Sequence, residues 1–171
     1  FTGIRLLEEP VGAALAWLAT WPDHLPDHIV ICDVGGGTTD FALVHRRTDR
    51  FEPDSQVLPA GFPSGGNDLD EEVLAAIRGQ ENAKVGEKQR ARYLYEIRKA
   101  KERLGIGSDE PFSLGGNGDL NVPTELLHDC CEAFSSDIEE QVSRYLDRCR
   151  SEAGIEQPAI LLVGGSSKIV G

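Results

Sequence analysis

Long apolar runs are missing from this sequence. The longest near its start, Val11 to Leu18, is too short to cross a bilayer, and nothing in it resembles a signal peptide. Metal or redox spacing of cysteine is missing too. Cys32, Cys130, Cys131 and Cys149 form no Cys-x-x-Cys pair, and His24, His28, His45 and His128 supply no ligand pattern beside them. No metal site is assigned to either residue type, and reduced, buried thiols in a cytoplasmic protein are expected. Positive charge is scarce: 17 Lys and Arg against 29 Asp and Glu leave a formal net charge of −12. That field repels nucleic acid and anionic membranes, so neither is expected as a partner. Repeats and low-complexity tracts are absent.

What remains is enough for one substantial core. At 171 residues and 40% hydrophobic, the chain is long enough for one domain with a helical insert. Periodicity predicts a helix over 8–19, strands over 28–34, 39–46 and 51–59, and a helix whose start is crowded by Asp68, Asp70, Glu71 and Glu72 and which ends at Gly79. A second helix is predicted from Glu87 to Leu104, with Leu94, Ile97, Ala100 and Leu104 on one face and Gly105 to Ser108 as its stop. A small hairpin follows, its arms Phe112-Ser113-Leu114 and Leu120-Asn121-Val122 around a glycine-rich tip. Thr124 is a candidate cap for a long amphipathic helix through Cys149, with Ser135-Ser136 a candidate break. The fully apolar run Ala159 to Val163 suits a central parallel strand. The stretch from Lys84 to Arg103 holds eight Lys or Arg against three Glu and reads as a solvated face; Trp17 and Trp21 read as packing residues.

The chemistry concentrates at Asp33-Val34-Gly35-Gly36-Gly37-Thr38-Thr39-Asp40, flanked by Ile29-Val30-Ile31-Cys32 and Phe41-Ala42-Leu43-Val44. Three glycines permit positive φ and leave no side chain between the backbone N–H groups and a bound anion. A dinucleotide fold would space its glycines as Gly-x-Gly-x-x-Gly and follow them with a helix; the β-favouring residues here argue for a hairpin. A tight hairpin with no ligand is the competing reading. An acid at each end adds a place for a metal, although Asp40 also reads as a structural hairpin-end acid.

This acidic hairpin resembles the second phosphate-binding loop of the actin-like ATPase superfamily. Three further segments, in family order, narrow the resemblance to the seventy-kilodalton heat-shock chaperones. Leu7-Glu8-Glu9-Pro10-Val11-Gly12-Ala13-Ala14 resembles the Glu-Pro segment opening the family's crossing helix between lobes. Gly65-Gly66-Asn67-Asp68-Leu69-Asp70 is similar to the start of its helical subdomain, and Leu162-Val163-Gly164-Gly165-Ser166-Ser167-Lys168-Ile169 to its adenosine loop. The resemblance implies a ribonuclease-H-like α/β core over 1–64 and 154–171, with a helical subdomain carrying the hairpin inserted over about 65–153. The family's first phosphate loop and the lysine of that lobe have no counterpart here. The expectation is an excised second lobe whose first partner is the other lobe of the same ATPase domain, with co-chaperones and protein clients in the full-length protein.

The resemblance also implies ATP or ADP and magnesium as cofactors, and phosphoryl transfer to water. Asp33 would hold hydrated magnesium, Gly35, Gly36 and Gly37 would offer amides to the terminal phosphate, and Thr38 would orient the attacking water or a phosphate oxygen. Glu9 matches the glutamate near the metal waters; its bland reading is a solvated acid before a helix-starting proline. Gly164, Gly165, Ser166 and Lys168 match the loop contacting adenosine and the inner phosphates. The sequence departs from the family at the nucleoside grip, a glutamate, a lysine, an arginine and a serine. Lys101 is kept, but Arg98 stands at the glutamate, Glu102 at the arginine and Gly105 at the serine. An arginine has only donors, so it cannot accept from ribose hydroxyls. Weaker ATP affinity, another base preference, or a rotated pair in which Arg98 stacks and Glu102 binds ribose remain open. Rival readings are another actin-like protein, such as an enzyme-reactivating factor or a segregation ATPase, and a non-hydrolysing scaffold.

Overall fold

A computed structural model describes residues 8–20, 26–47, 50–81, 86–104, 112–115 and 120–170. The expectations for Trp21, His24, Gly105, the helix stop through Ser108 and the hairpin tip at 116–119 fall outside them. The two apolar runs around the glycines form β1 (His28–Val34) and β2 (Thr39–Arg47), antiparallel from His28 opposite His45 to Val34 opposite Thr39. Val30, Cys32 and Val34 pack with Phe41 and Leu43 on one face, and Ile29 and Ile31 with Val44 on the other. Both faces are covered, which is why these strands read as continuous apolar runs.

The strand expected over 51–59 is two short ones, β3 (Arg50–Pro53) and β4 (Ala60–Phe62), both paired with β2. Asp54 separates them: its Oδ1 accepts from the amides of Gln56 at 2.7 Å and Val57 at 3.1 Å, turning the chain out of the sheet. Helix α1 (Glu9–Thr20) lays Val11 and Ala14 on the Ile29, Ile31 and Val44 face, with Trp17 packed at the edge of that cluster.

The opposite face is covered by helices. Helix α2 (Gly66–Glu81) runs past Gly79 instead of ending there, so this glycine is tolerated inside a helix that packs on α3 (Glu87–Leu104) and α4 (Thr124–Ala153). On α3 the buried set is Tyr93, Ile97, Ala100 and, unexpectedly, Lys101; Leu94 and Leu104 are only partly covered. Strands β5 (Phe112–Leu114) and β6 (Leu120–Val122) form the expected hairpin.

Helix α4 is unbroken over 30 residues. Leu127, Cys131, Phe134, Ile138, Gln141, Tyr145 and Cys149 recur at three- or four-residue spacing on its buried side, and that burial carries it through Ser135-Ser136. Pro123, not Thr124, is the N-cap, with no side-chain bond. Gly154 ends the helix at φ +68°, its amide reaching the Arg150 carbonyl at 3.1 Å while Ile155 reaches that of Cys149 at 3.2 Å. Tyr145 stacks on Phe41 with centroids 5.4 Å apart, tying α4 to the sheet. Strand β7 (Ala159–Val163) is parallel to β1 as expected, but it is an edge among the described strands, in the order β3-β2-β1-β7 with β4 also beside β2. Helix α5 (Ser167–Val170) follows.

All four cysteines are free; Cys32, Cys131 and Cys149 are buried and Cys130 half-buried. Burial pushes the Cys32 thiol up to about 12 and the Cys131 thiol up to about 11. Among the described residues no helix is long and apolar enough to cross a membrane.

Candidate functional site

The β1–β2 turn is held from behind. Within it the Gly35 amide donates to the Thr38 carbonyl at 2.9 Å. Its carbonyls face α2: that of Gly35 accepts from the Gly66 amide at 3.0 Å and that of Gly36 from the Asn67 amide at 2.6 Å. Two of the unpaired donors at the start of α2 are thereby satisfied by the turn. The amides of Gly36, Gly37 and Thr38 have no backbone acceptor among the described residues, and all three residues are exposed. Exposed residues with N–H groups that lack a backbone acceptor suit an anion.

The expectation of positive φ fails at these glycines; the described positive-φ glycines are Gly115, Gly154 and Gly164. Space is what matters in the turn. A Cβ at Gly35 would lie 3.1 Å from the Thr38 carbonyl oxygen, whereas at Gly37 it would meet nothing within 4 Å. Gly164 needs its φ of +90°, and an added Cβ there would collide with the Asp33 carboxylate and the Val34 backbone. Ser166 closes the same corner, donating from Oγ to the Gly35 carbonyl at 3.1 Å and from its amide to that of Val34 at 3.0 Å. The loop after β7, the glycine turn and the start of α2 therefore meet at one point.

Acids line the α1 side. Asp33 is opposite Asp40 in the β1–β2 register and opposite Val163 in the β1–β7 register. With Glu9, Pro10, Pro59 and Gly61 they border a cleft of about 230 Å³. Desolvation, then the charges of Glu9 and Asp40, hold the Asp33 carboxyl above its ordinary value. Thr38 Oγ1 donates to Asp40 Oδ2 at 2.8 Å, which leaves its lone pairs to accept a proton from another group. No set of three His, Cys, Asp or Glu among the described residues is close enough to hold an ion directly. Three carboxylates bordering one cleft fit a cation that keeps its waters, the habit of magnesium.

Cations stand on the α2–α3 side. Lys101 Nζ is 2.5 Å from Asp70 Oδ1, and Arg98 Nε is 3.2 Å from Asp70 Oδ2 while its Nη2 donates to Asn67 Oδ1 at 2.7 Å. Glu102 is exposed and bonded to Lys99 at 2.7 Å, so Arg98 and Glu102 engage different partners. Much of α3 is solvated as expected, with Arg92 paired to Glu96 at 2.8 Å and Arg90 to Glu71. Lys101 is buried, and Arg98, though half-exposed, reaches back to α2.

Of the residues singled out from the sequence, Glu9, Asp33, Gly35, Gly36, Gly37, Thr38, Gly164 and Ser166 converge. Gly165 and Lys168 are exposed beside them, and Glu102 points to its helical neighbour. Asp40, read from the sequence both as a place for a metal and as a structural hairpin-end acid, lines the cleft and accepts from Thr38, whereas Asn67 and Asp70 carried no site role in the sequence. Helical spacing puts Asp70 within a turn of Gly66 but gives no sign that α3 meets it.

Comparison with known proteins follows this geometry. A family model described as MreB/Mbl protein matches residues 2–171. The chain is similar to a "Chaperone protein HscA homolog" of Shewanella woodyi, 32% identical over 177 residues, covering 97% of this chain and 27% of the relative. It is similar to a "Chaperone protein DnaK" of Metamycoplasma hominis, 28% identical over 182 residues, 97% of this chain and 30% of the relative. It is also similar to a "Chaperone protein dnaK1" of Prochlorococcus marinus, 26% identical over 179 residues, 96% and 26%. The chain thus spans under a third of the length of these curated relatives.

Proposed function

The chain belongs to the MreB/Mbl family of actin-like ATPases, and on that footing we propose that it forms the second, nucleotide-binding lobe of an ATPase whose hydrolysis cycle is coupled to protein-client binding in the full-length protein. The carrying observation is the row of amides at exposed Gly36, Gly37 and Thr38 that lack a backbone acceptor among the described residues, placed between an acidic trio and a cationic cluster. ATP phosphates lie along these amides. Asp33 would hold magnesium through its waters, with Glu9 near them, and the ion would supply neutralisation of phosphate charge. Thr38, its own proton engaged by Asp40, accepts from the attacking water and orients it. Gly164 and Ser166 support the turn, and Gly165 and Lys168 lie toward the nucleoside. The segment from 65 to 153 acts as the inserted helical subdomain, and the cytoplasm is the compartment.

A second reading is an actin-like ATPase with no client, because the family model that matches is MreB/Mbl while the relatives at about 30% identity bear chaperone names. Both share the nucleotide chemistry. The test is single-turnover ATP hydrolysis by the full-length protein, with Asp33→Asn and Thr38→Ala melted from the same preparations. Turnover should fall about 100-fold or more with the fold kept to within about 1 kcal/mol. No turnover by wild type overturns the nucleotide reading, unchanged turnover in both variants overturns the roles given to Asp33 and Thr38, and turnover indifferent to unfolded peptide favours the clientless ATPase.

A further inference from the structure

The contacts behind the glycine turn run in series. Lys101, its side chain only 7% exposed, donates from Nζ to the Gly66 carbonyl at 2.5 Å and pairs with Asp70, 2% exposed, at the same distance. Gly66 passes the constraint forward through its amide to the Gly35 carbonyl, which the Ser166 hydroxyl grips from the other side. The fit is close: a Cβ on Gly66 would run into the Ser166 hydroxyl and stand 3.1 Å from Lys101 Nζ. If Lys101 swung out to a ligand, the Gly66 carbonyl would lose a donor and Asp70 would keep only the half-exposed Arg98 as a cation.

We propose that Lys101 is a positioning residue: held by Asp70, it fixes Gly66 and so sets where the free amides of the glycine turn point, and it does not touch the nucleoside. The inference rests on the nucleotide reading above and deepens it. It departs from the role the family resemblance gives this position, that of a direct grip on ribose and adenine. The physical distinction is in which ligand senses the lysine. A phosphate chain depends on the direction of the amides at Gly36, Gly37 and Thr38; a nucleoside without phosphates does not.

The experiment measures ADP and adenosine affinity by displacement of a labelled nucleotide from the full-length protein, in wild type, Lys101→Met, Asp70→Asn and Gly66→Ala. Each variant should weaken ADP about tenfold or more and leave adenosine within about twofold. Gly66→Ala matters most, since it disturbs the strut without removing a charge. Equal losses of ADP and adenosine affinity in Lys101→Met overturn the inference, as does a loss confined to Lys101→Met with Asp70→Asn and Gly66→Ala unaffected. A measurement on wild type stands if the variants do not fold: reductive methylation read by mass spectrometry should spare Lys101 equally with and without ADP. Lys101 modified in the free protein and spared only with ADP would mark a direct ligand and overturn the proposal. Wild type that binds neither ADP nor adenosine removes the nucleotide reading and this inference with it, whereas binding with the wrong pattern removes this inference alone.

Discussion

Asp33 and Asp40 are register partners across the β1–β2 hairpin, and after desolvation and the charge of Glu9, the Asp40 carboxylate adds to the cost of charging Asp33. A hairpin that served only to turn the chain would gain nothing from facing acids, since like charges directly opposite destabilise a strand pair. A cation joining them would relieve that repulsion.

Replacing Asp33 with Asn should therefore stabilise the protein in the absence of ligand. The folded state holds the Asp33 proton more tightly than the unfolded chain, so wild type loses stability as pH rises through the window above the ordinary value of 3.8. Below that value both states are protonated and the difference closes. Thermal melts across the range should show Asp33→Asn ahead at neutral pH and level in acid. Added magnesium should help wild type more than the variant.

Gly164 and Gly37 should answer alanine differently. At Gly164 the new Cβ faces both a left-handed φ and the Asp33 and Val34 atoms, and a loss of about 3 kcal/mol is expected in denaturant unfolding. At Gly37 the Cβ meets open space, and stability should hold to within about 0.5 kcal/mol. ADP affinity should nonetheless fall for Gly37→Ala, because the methyl stands where a phosphate approaches.

Arg98→Glu should cost about 1–2 kcal/mol after solvent screening of its half-exposed guanidinium, because it sets a carboxylate beside buried Asp70 and removes a donor from Asn67. Glu102→Arg loses an exposed bond to Lys99 and a solvent-screened attraction to Arg98 and Lys101, so the unfolding midpoint should move little. Since the two side chains have separate partners, the double variant should show the sum of the single effects, not a rescue. Recovery in the double variant would mean that the pair interacts after all.

The hairpin and the parallel run at Ala159–Val163 were legible as uninterrupted apolar runs, and α3 by its helical period and flanking glycines. Legibility failed where one local cue met a tertiary contact. Gly79 and Ser135-Ser136 look like breaks, yet the helices through them are held by residues packed on other elements. Asp54 ends β3 through its own side chain, a local device hidden in a polar loop. The site divides in the same way. The turn and its acids are contiguous in sequence, whereas Arg98 meets Asn67 and Asp70 across about 30 positions, a pairing that no spacing rule supplies. The glycines mislead most: the run at 35–37 draws attention, but among the described glycines of the site it is Gly164 that has positive φ.

The sealed thiols give the molecule its own clocks. At neutral pH Cys32 and Cys149, both 0% exposed, are shielded and almost entirely uncharged, so an alkylating reagent must wait for the chain to open before it can react. One clock sits in the first strand of the sheet and the other near the end of the longest helix, yet both belong to one apolar cluster. Labelling followed by mass spectrometry should find half-buried Cys130 reacting first and the other two ticking at a shared rate, the signature of sheet and helices melting together.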